Sequence, residues 1–177
     1  LDVAQFAEEL AELSAPALVS SGGDSVGEIL AQIEADMISG VAEDVFPFNL
    51  GPLDRHLEGG FHRGELGVIA ANTGGGKTAL MIQAAVTSAD QGKKVRYFTL
   101  ELPKKAITMR MACALGGVTM RDTRRFVEAT TKLAGLPLKV HQQFAELGEI
   151  AAEIRAAVRA GDCDIAFVDY CQRVSVK

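Results

Sequence analysis

The apolar run "ELGVIAA" (Glu65 to Ala71) leads through Asn72 and Thr73 into three consecutive glycines, Gly74 to Gly76. Directly after them comes "KTALMIQAAVTSADQG", a run of helix formers with Gly92 at its end. Strand length before the glycines, helix length after them and a glycine at the C-cap position predict strand, loop and helix in that order. That order is the opening of an α/β unit.

The same stretch carries chemistry. Ala71-Asn72-Thr73-Gly74-Gly75-Gly76-Lys77-Thr78 fills the phosphate-loop pattern G-x-x-x-x-G-K-[ST] at every place except the first, where alanine replaces glycine. Alanine can hold a β-like exit from a strand, provided that no positive φ is needed there. Glycines let the backbone bend until successive N–H groups point at a polyphosphate, and a helix that starts near Gly76 adds its partial positive end. On this reading Lys77 reaches the β- and γ-phosphates, and the Thr78 hydroxyl is a ligand of Mg²⁺. The competing reading is a glycine-rich turn with an incidental lysine. It accounts for the glycines, but not for Gly-Lys-Thr at a strand–helix junction.

Alternation of strand and helix continues downstream. "KVRYFTLEL" (Lys94 to Leu102) is β-branched and aromatic, and "PKKAITMRMACALGG" opens with Pro103 in a helix first turn and stops at Gly116-Gly117. "RDTRRFVEATTKLAG" reads as a helix and "LPLKVHQQ" as a strand. "ELGEIAAEIRAAVRAGD" follows as a helix with Leu147, Ile150, Ala151, Ile154 and Val158 on one face, and "CDIAFVDY" (Cys163 to Tyr170) as a nearly continuous apolar strand. Strands without polar alternation, separated by helices, predict a mostly parallel sheet flanked by helices.

Upstream, "LDVAQFAEELAEL" has Val3, Phe6, Ala7, Leu10 and Leu13 at helical spacing, Pro16 ends the run, and "SSGGDS" has the composition of a flexible linker. Ser25 and Glu28 then form a capping-box pair, followed by the stripe Val26, Ile29, Leu30, Ile33, Met37 and Ile38. Such a stripe must be buried, either on its own domain or on a neighbouring subunit. From "GVAEDVFPFNL" to "GGF" the prolines and glycines predict a loop with one helical turn at Leu53 to Leu57. These shifts divide the chain into a helical segment 1–19, a linker with an amphipathic helix 20–47, and an α/β domain 48–177.

Composition narrows the partners. A chain of 177 residues holds one domain of ordinary size with room for an arm. Eighteen Lys and Arg against 23 Asp and Glu give a net charge of -5, so a polyanion must be gripped locally rather than by the whole surface. No apolar run is long enough to span a bilayer and no secretory pattern opens the chain, so a cytoplasmic protein without membrane contact is expected. Cys113, Cys163 and Cys171 lack the spacing of a disulfide framework or a zinc site and read as small buried hydrophobes. His56, His62 and His141 are assigned no chemistry. Because the chain begins at Leu1 and stops at "VSVK" after a strand-like run, a piece of something longer is expected.

A phosphate loop needs acids around it. Asp169, at the end of "IAFVD", is placed to hold Mg²⁺ from the end of another strand. The next residue is Tyr170, so the second acid that often stands beside a magnesium aspartate is missing there. Glu101, after the strand in "FTLELP", is the remaining candidate for activating the attacking water. Ligands gather at the carboxyl ends of the strands of an open parallel sheet, which puts Glu101, Gly76 and Asp169 on one edge.

Together "GELGVIAANTGGGKTALMIQAA", "GKKVRYFTLELPKKAITMRMACALGGV" and "DIAFVDYCQRV" resemble the RecA-like P-loop ATPase domain of bacterial and phage replicative helicases of the DnaB type, over roughly Phe48 to Val174. The resemblance implies ATP and Mg²⁺ as cofactors, with Thr73, Gly74, Gly75, Gly76, Lys77, Thr78 and Ala79 lining the nucleotide. It implies Thr78 and Asp169 as metal ligands, and Glu101 and Lys77 as catalytic. Gln172 is similar to the glutamine that links γ-phosphate state to DNA-facing loops, and Arg110 to an arginine lying against the nucleotide.

The resemblance also implies a homo-hexamer in which the helix 25–38 docks on the adjacent subunit, a primase or helicase loader as partner, and 5′-to-3′ movement on single-stranded DNA. The family's DNA-holding loops and the arginine that enters a neighbour's site follow the Walker B strand and are absent from this sequence, so the chain alone is expected to bind nucleotide and not to translocate. A recombinase or clock-type ATPase would share the loop and both acids, although the "LELP" turn and "VDYCQ" favour the helicase. A partner-binding module without significant turnover is the other alternative.

Overall fold

Every residue of β3 (Val95–Thr99) is buried, because this strand lies between β4 (Leu138–Gln142) and β5 (Ile165–Asp169) in a three-stranded parallel sheet. The computed structural model describes residues 25–39, 45–142 and 146–169. Strand β4 (Leu138–Gln142) pairs with β3 from Val95↔Leu138 to Thr99↔Gln142, and β5 (Ile165–Asp169) pairs with it from Val95↔Ile165 to Thr99↔Asp169. A central strand has neighbours at both edges and helices on both faces, so side chains on both of its faces are buried.

The period-two alternation sorts the side chains into two cores. On one face Val95, Tyr97 and Phe167 pack with Ile82, Ala85, Val86 and Ala89 of α3 (Lys77–Asp90), with Ile107, Met111 and Ala112 of α4 (Lys104–Gly116), and with Leu133 of α5 (Thr123–Ala134). On the other, Phe98 packs with Leu147 and Ile150 of α6 (Leu147–Arg159). Helices α4 and α5 carry the crossover from β3 out to β4 on the first face. Helix α6 carries the return to β5, across β3, on the second. Reversing the direction of travel and the face together keeps both crossovers right-handed.

Before this sheet lies a small antiparallel ladder of β1 (Val45–Phe46) with β2 (Phe61–His62), enclosing α2 (Gly51–His56). The helical turn there is as expected, but the ladder is not legible in strands two residues long. It depends on Gly60, whose φ is 144° and whose Cβ, if present, would lie 2.4 Å from the Phe46 carbonyl oxygen. It also depends on Asp54, whose two carboxylate oxygens accept from the Phe48 and Leu50 amides at 2.8 Å each.

The expected strand at Glu65–Ala71 is not one: the segment joins no ladder among the described residues. Apolar character supplies a face to bury, but a strand also needs a partner for its backbone groups. The segment is held from the side instead. The Phe61 ring lies over Gly67, where a Cβ would meet it at 2.0 Å, and Ile69 packs on the main core, while Leu66 and Val68 stay exposed.

Helix α1 (Val26–Ser39) forms where the capping box places it. The Glu28 carboxylate accepts from the Ser25 amide at 2.8 Å and from its hydroxyl at 2.7 Å, and the Ser25 hydroxyl accepts in turn from the Glu28 amide. Both Ser25 hydrogen bonds hold the Glu28 carboxyl below the usual carboxylate range. The helix has no buried residue, and its stripe is open to solvent, Met37 at 78% and Ile38 at 88%. Burial of the stripe on its own domain is therefore not found among the described residues. The expected helix at Val3 to Leu13 and the "SSGGDS" linker lie outside them.

Candidate functional site

The glycine loop sits at the C-terminal edge of the sheet, at the start of α3. Gly74 and Gly76 take φ of 80° and 85°, conformations an L side chain resists, whereas Ala71 does not. Gly75 answers a different demand. A Cβ there would stand 2.9 Å from both the Ala71 Cβ and the Asn72 carbonyl oxygen, so the loop closes on itself only without one. The Gly75 amide donates to that same carbonyl at 2.9 Å. Ala71 in place of the pattern's first glycine thus lies against the back of the loop as a methyl contact.

Helix α3 begins at this loop without a side-chain cap: its N-cap is Gly76, and the first backbone bond into the helix is Leu80 N–H to the Gly76 carbonyl. The amides of Lys77, Thr78 and Ala79 therefore have no intrahelical acceptor, which leaves the positive end of the helix available to an anion. Thr73 to Gly76 and Ala79 are exposed, and Lys77 and Thr78 are half-buried. The Lys77 ammonium folds back over the loop, donating to the carbonyls of Ala71 and Asn72.

Ninety-one residues further along the sequence, Asp169 arrives at the same place. The Thr78 hydroxyl donates to Asp169 Oδ1 at 3.2 Å. Asp169 is 3% exposed, and its Oδ2 accepts from the Tyr97 hydroxyl at 2.9 Å. Burial first, then the Asp169 charge, holds the Tyr97 phenol above its ordinary range, so it stays protonated and donates. Tyr97 is the residue that sequence reasoning missed. Its signal was a tyrosine in the run "VRYFT", on the side of the strand shared with Val95 and Thr99, since a buried phenol needs a partner for its hydroxyl.

The other expected residues fall as follows. Glu101 is exposed in the turn after β3, two residues beyond Thr99, the register partner of Asp169. The Leu100 amide donates to the Asp169 carbonyl at 2.8 Å, which continues the edge toward Glu101. Arg110 is exposed on α4, close enough that its charge acts on the Tyr97 hydroxyl. Gln172 lies outside the described residues. Among the described residues no group of three or more His, Cys, Asp and Glu could hold a metal. A threonine hydroxyl beside one buried carboxylate, both hard oxygen donors, fits Mg²⁺, which takes one or two protein ligands and fills its shell with water and phosphate.

A second polar cluster is embedded in the opposite face. Arg96, 7% exposed, donates from Nη2 to Asp162 Oδ2 at 2.6 Å, from Nη1 to Glu153 Oε1 at 2.8 Å, and from Nε to the Asp162 carbonyl at 3.3 Å. Its Nη1 also lies 3.1 Å from His141 Nε2, and the His141 ring stacks on Phe98 at 4.7 Å. Burial and the Arg96 charge hold His141 below the ordinary imidazole range. Cys163, buried nearby, has its thiol pushed up to about 11 by burial. This cluster faces α6, away from the loop.

Residues 47–177 match the family described as DnaB-like helicase C terminal domain. The chain belongs to that family. It is 31% identical over 141 residues to the replicative DNA helicase DnaB of Mycoplasma pneumoniae, covering 70% of this chain and 30% of that protein. It is 34% identical over 79 residues to DnaB of Geobacillus stearothermophilus, covering 44% of this chain and 17% of the relative. The chain thus spans less than a third of the curated relatives it matches.

Among solved structures, the ATPase domain of G40P superposes with a TM-score of 0.74 at 21% identity, over 87% of this chain and 60% of that one. A DnaB-like replicative helicase, solved in a study of its interactions with primase, gives 0.65 at 20% identity, over 94% of this chain and 42% of the other. The fold is therefore the RecA-like α/β fold of DnaB-like ATPase domains, a nucleotide-binding class. No helix among the described residues is long and apolar enough to cross a membrane.

Proposed function

We propose that this chain is the ATP-binding and ATP-hydrolysing domain of a hexameric replicative helicase that unwinds duplex DNA by translocating along single-stranded DNA. The observation that carries the nucleotide site is the Thr78–Asp169 contact at 3.2 Å, which joins the glycine loop to the end of a strand 91 residues away. A glycine turn without a ligand gives no reason for a buried carboxylate to face it. Family membership favours the helicase over a recombinase, a clock-type ATPase or a partner module without turnover.

In this reading Thr73 to Ala79 cradle the triphosphate, with the uncapped amides of α3 directed at its oxygens. Lys77 exchanges its loop carbonyls for the β- and γ-phosphates and spreads their charge. Thr78 and Asp169 hold Mg²⁺, which when bound neutralises phosphate charge. Glu101 takes the proton of the attacking water, its position on the exposed edge leaving it free to turn toward the γ-phosphate. Arg110 lies against the nucleotide from α4, and Gln172 passes the γ-phosphate state to the DNA-facing parts of the full-length protein.

The open stripe of α1 docks on an adjacent subunit. Burying six aliphatic side chains, at about 1.5–3 kcal/mol each, is a substantial gross term before ordering costs. A primase or a loader is the further partner, and the cytoplasm the place of action.

The test is Glu101→Gln in a full-length helicase carrying this domain. ATP binding should persist while hydrolysis falls by at least a hundredfold, in line with general-base losses of about 10²–10⁴. Unchanged hydrolysis sinks the catalytic assignment. An ATPase rate in the same protein that ignores single-stranded DNA at low salt sinks the translocase reading.

A further inference from the structure

We propose that Tyr97 is a positioning residue for the Asp169 carboxylate, its buried hydroxyl holding Oδ2 so that Oδ1 stays turned toward Thr78 and the glycine loop. The inference rests on the reading of Asp169 as a Mg²⁺ ligand.

Three observations make the geometry one of fixed parts. Tyr97 is fully buried in the main core, so its ring cannot swing away. It stacks on Phe167 of the adjacent strand, with centroids 6.1 Å apart and planes 24° from parallel. In the ladder Tyr97 is level with Phe167, and Asp169 lies two residues further along the same face, so the phenol reaches diagonally to the strand end. The hydroxyl thereby arrives 2.9 Å from Oδ2, while Oδ1 accepts from Thr78 at 3.2 Å.

A carboxylate with both oxygens free can rotate about its last bond and present either oxygen, or both. With Oδ2 held by a donor fixed in the core, the Asp169 carboxylate is kept in one orientation, with Oδ1 on the side of the loop. Partners that orient a ligand in this way commonly change metal affinity by about 10–100-fold when removed. A phenylalanine in the same place would fill the same volume and leave the carboxylate free to turn.

The experiment compares the wild-type chain with Tyr97→Phe, which keeps the ring and its stack, and with Tyr97→Met as a second hydroxyl-free variant. Thermal unfolding checks that each folds. Binding of a fluorescent ATP analogue is titrated against Mg²⁺, and measured separately in EDTA. The Mg²⁺ midpoint should rise about tenfold in the variants while affinity in EDTA is unchanged, and in an Asp169→Asn background the Tyr97→Phe shift should vanish. Equal weakening with and without Mg²⁺, or the same shift in the Asp169→Asn background, overturns the inference and leaves Tyr97 a packing residue. A wild type that responds to Mg²⁺ and is matched by both folded variants overturns it alone. A wild type whose binding ignores Mg²⁺ overturns the metal reading of Asp169 and this inference with it.

Discussion

Removing Arg96 should destabilise the domain less than removing the acids that face it. The Arg96 side chain is 8% exposed, while those of its partners Glu153 and Asp162 are 37% and 40% exposed. Arg96→Met deletes hydrogen bonds to charged groups but keeps most of the buried aliphatic stem, and both carboxylates can turn to water. The loss falls between that of a surface pair, about 0–1 kcal/mol, and a broken buried pair, about 3–5 kcal/mol; roughly 2 kcal/mol is expected. The double variant Glu153→Ala/Asp162→Ala instead strands a buried cation with one backbone carbonyl and an imidazole. It should cost more than Arg96→Met does.

Urea unfolding reads the two directly. With a slope of about 2 kcal/mol/M, the midpoint should fall by about 1 M for Arg96→Met and by more for the double variant. The reverse order would mean that the acids, not the arginine, carry the desolvation penalty, and the account of this cluster would be wrong.

Acid should act on the same cluster through His141. Its folded-state pKa is depressed by burial and by Arg96, so the unfolded chain binds the proton more readily. That contribution is complete above the unfolded value of about 6.5 and is lost as pH falls below it. His141→Gln should flatten the stability profile between about pH 7 and 5, and an unchanged slope in urea unfolding would show that another group is responsible. In the glycine loop, Gly75→Ala places a methyl 2.9 Å from Ala71 Cβ and the Asn72 oxygen, forcing the loop open. Nucleotide affinity should drop by about tenfold or more while the melting temperature moves little, because the loop is exposed. Wild-type affinity measured by calorimetry would refute the cradle geometry.

Much of the fold was legible because it is written in short-range patterns. The capping box at Ser25 and Glu28 specifies a helix start whatever surrounds it, and the run at Val95–Thr99 needs burial on both faces, which the central strand of a parallel sheet receives. The run at Glu65–Ala71 shows where such reasoning stops. Its residues have the character of a strand, but strand formation is a property of a pair, and it pairs with no second strand among the described residues. The β1–β2 ladder was missed for the opposite reason: two-residue strands have no period to detect, and the close approach of Gly60 to Phe46 is set by three-dimensional contact.

For the site, sequence alone determined the residue types that chemistry demands in a row: glycines with positive φ, a lysine, a threonine, and a helix start left uncapped by Gly76. It could also supply Asp169 and Glu101 as acids at strand ends. Tertiary structure decided which atoms meet. Only the β3–β5 register sets Tyr97 diagonally beneath Asp169, and only packing on α4 and Phe167 holds the phenol there. Arg96 is likewise a lone cation in a largely apolar strand until the fold brings Glu153 of α6 and Asp162 after it within reach. Contacts between residues near in sequence follow from local geometry, whereas a hydrogen bond between residues 72 apart depends on how strands and helices stack.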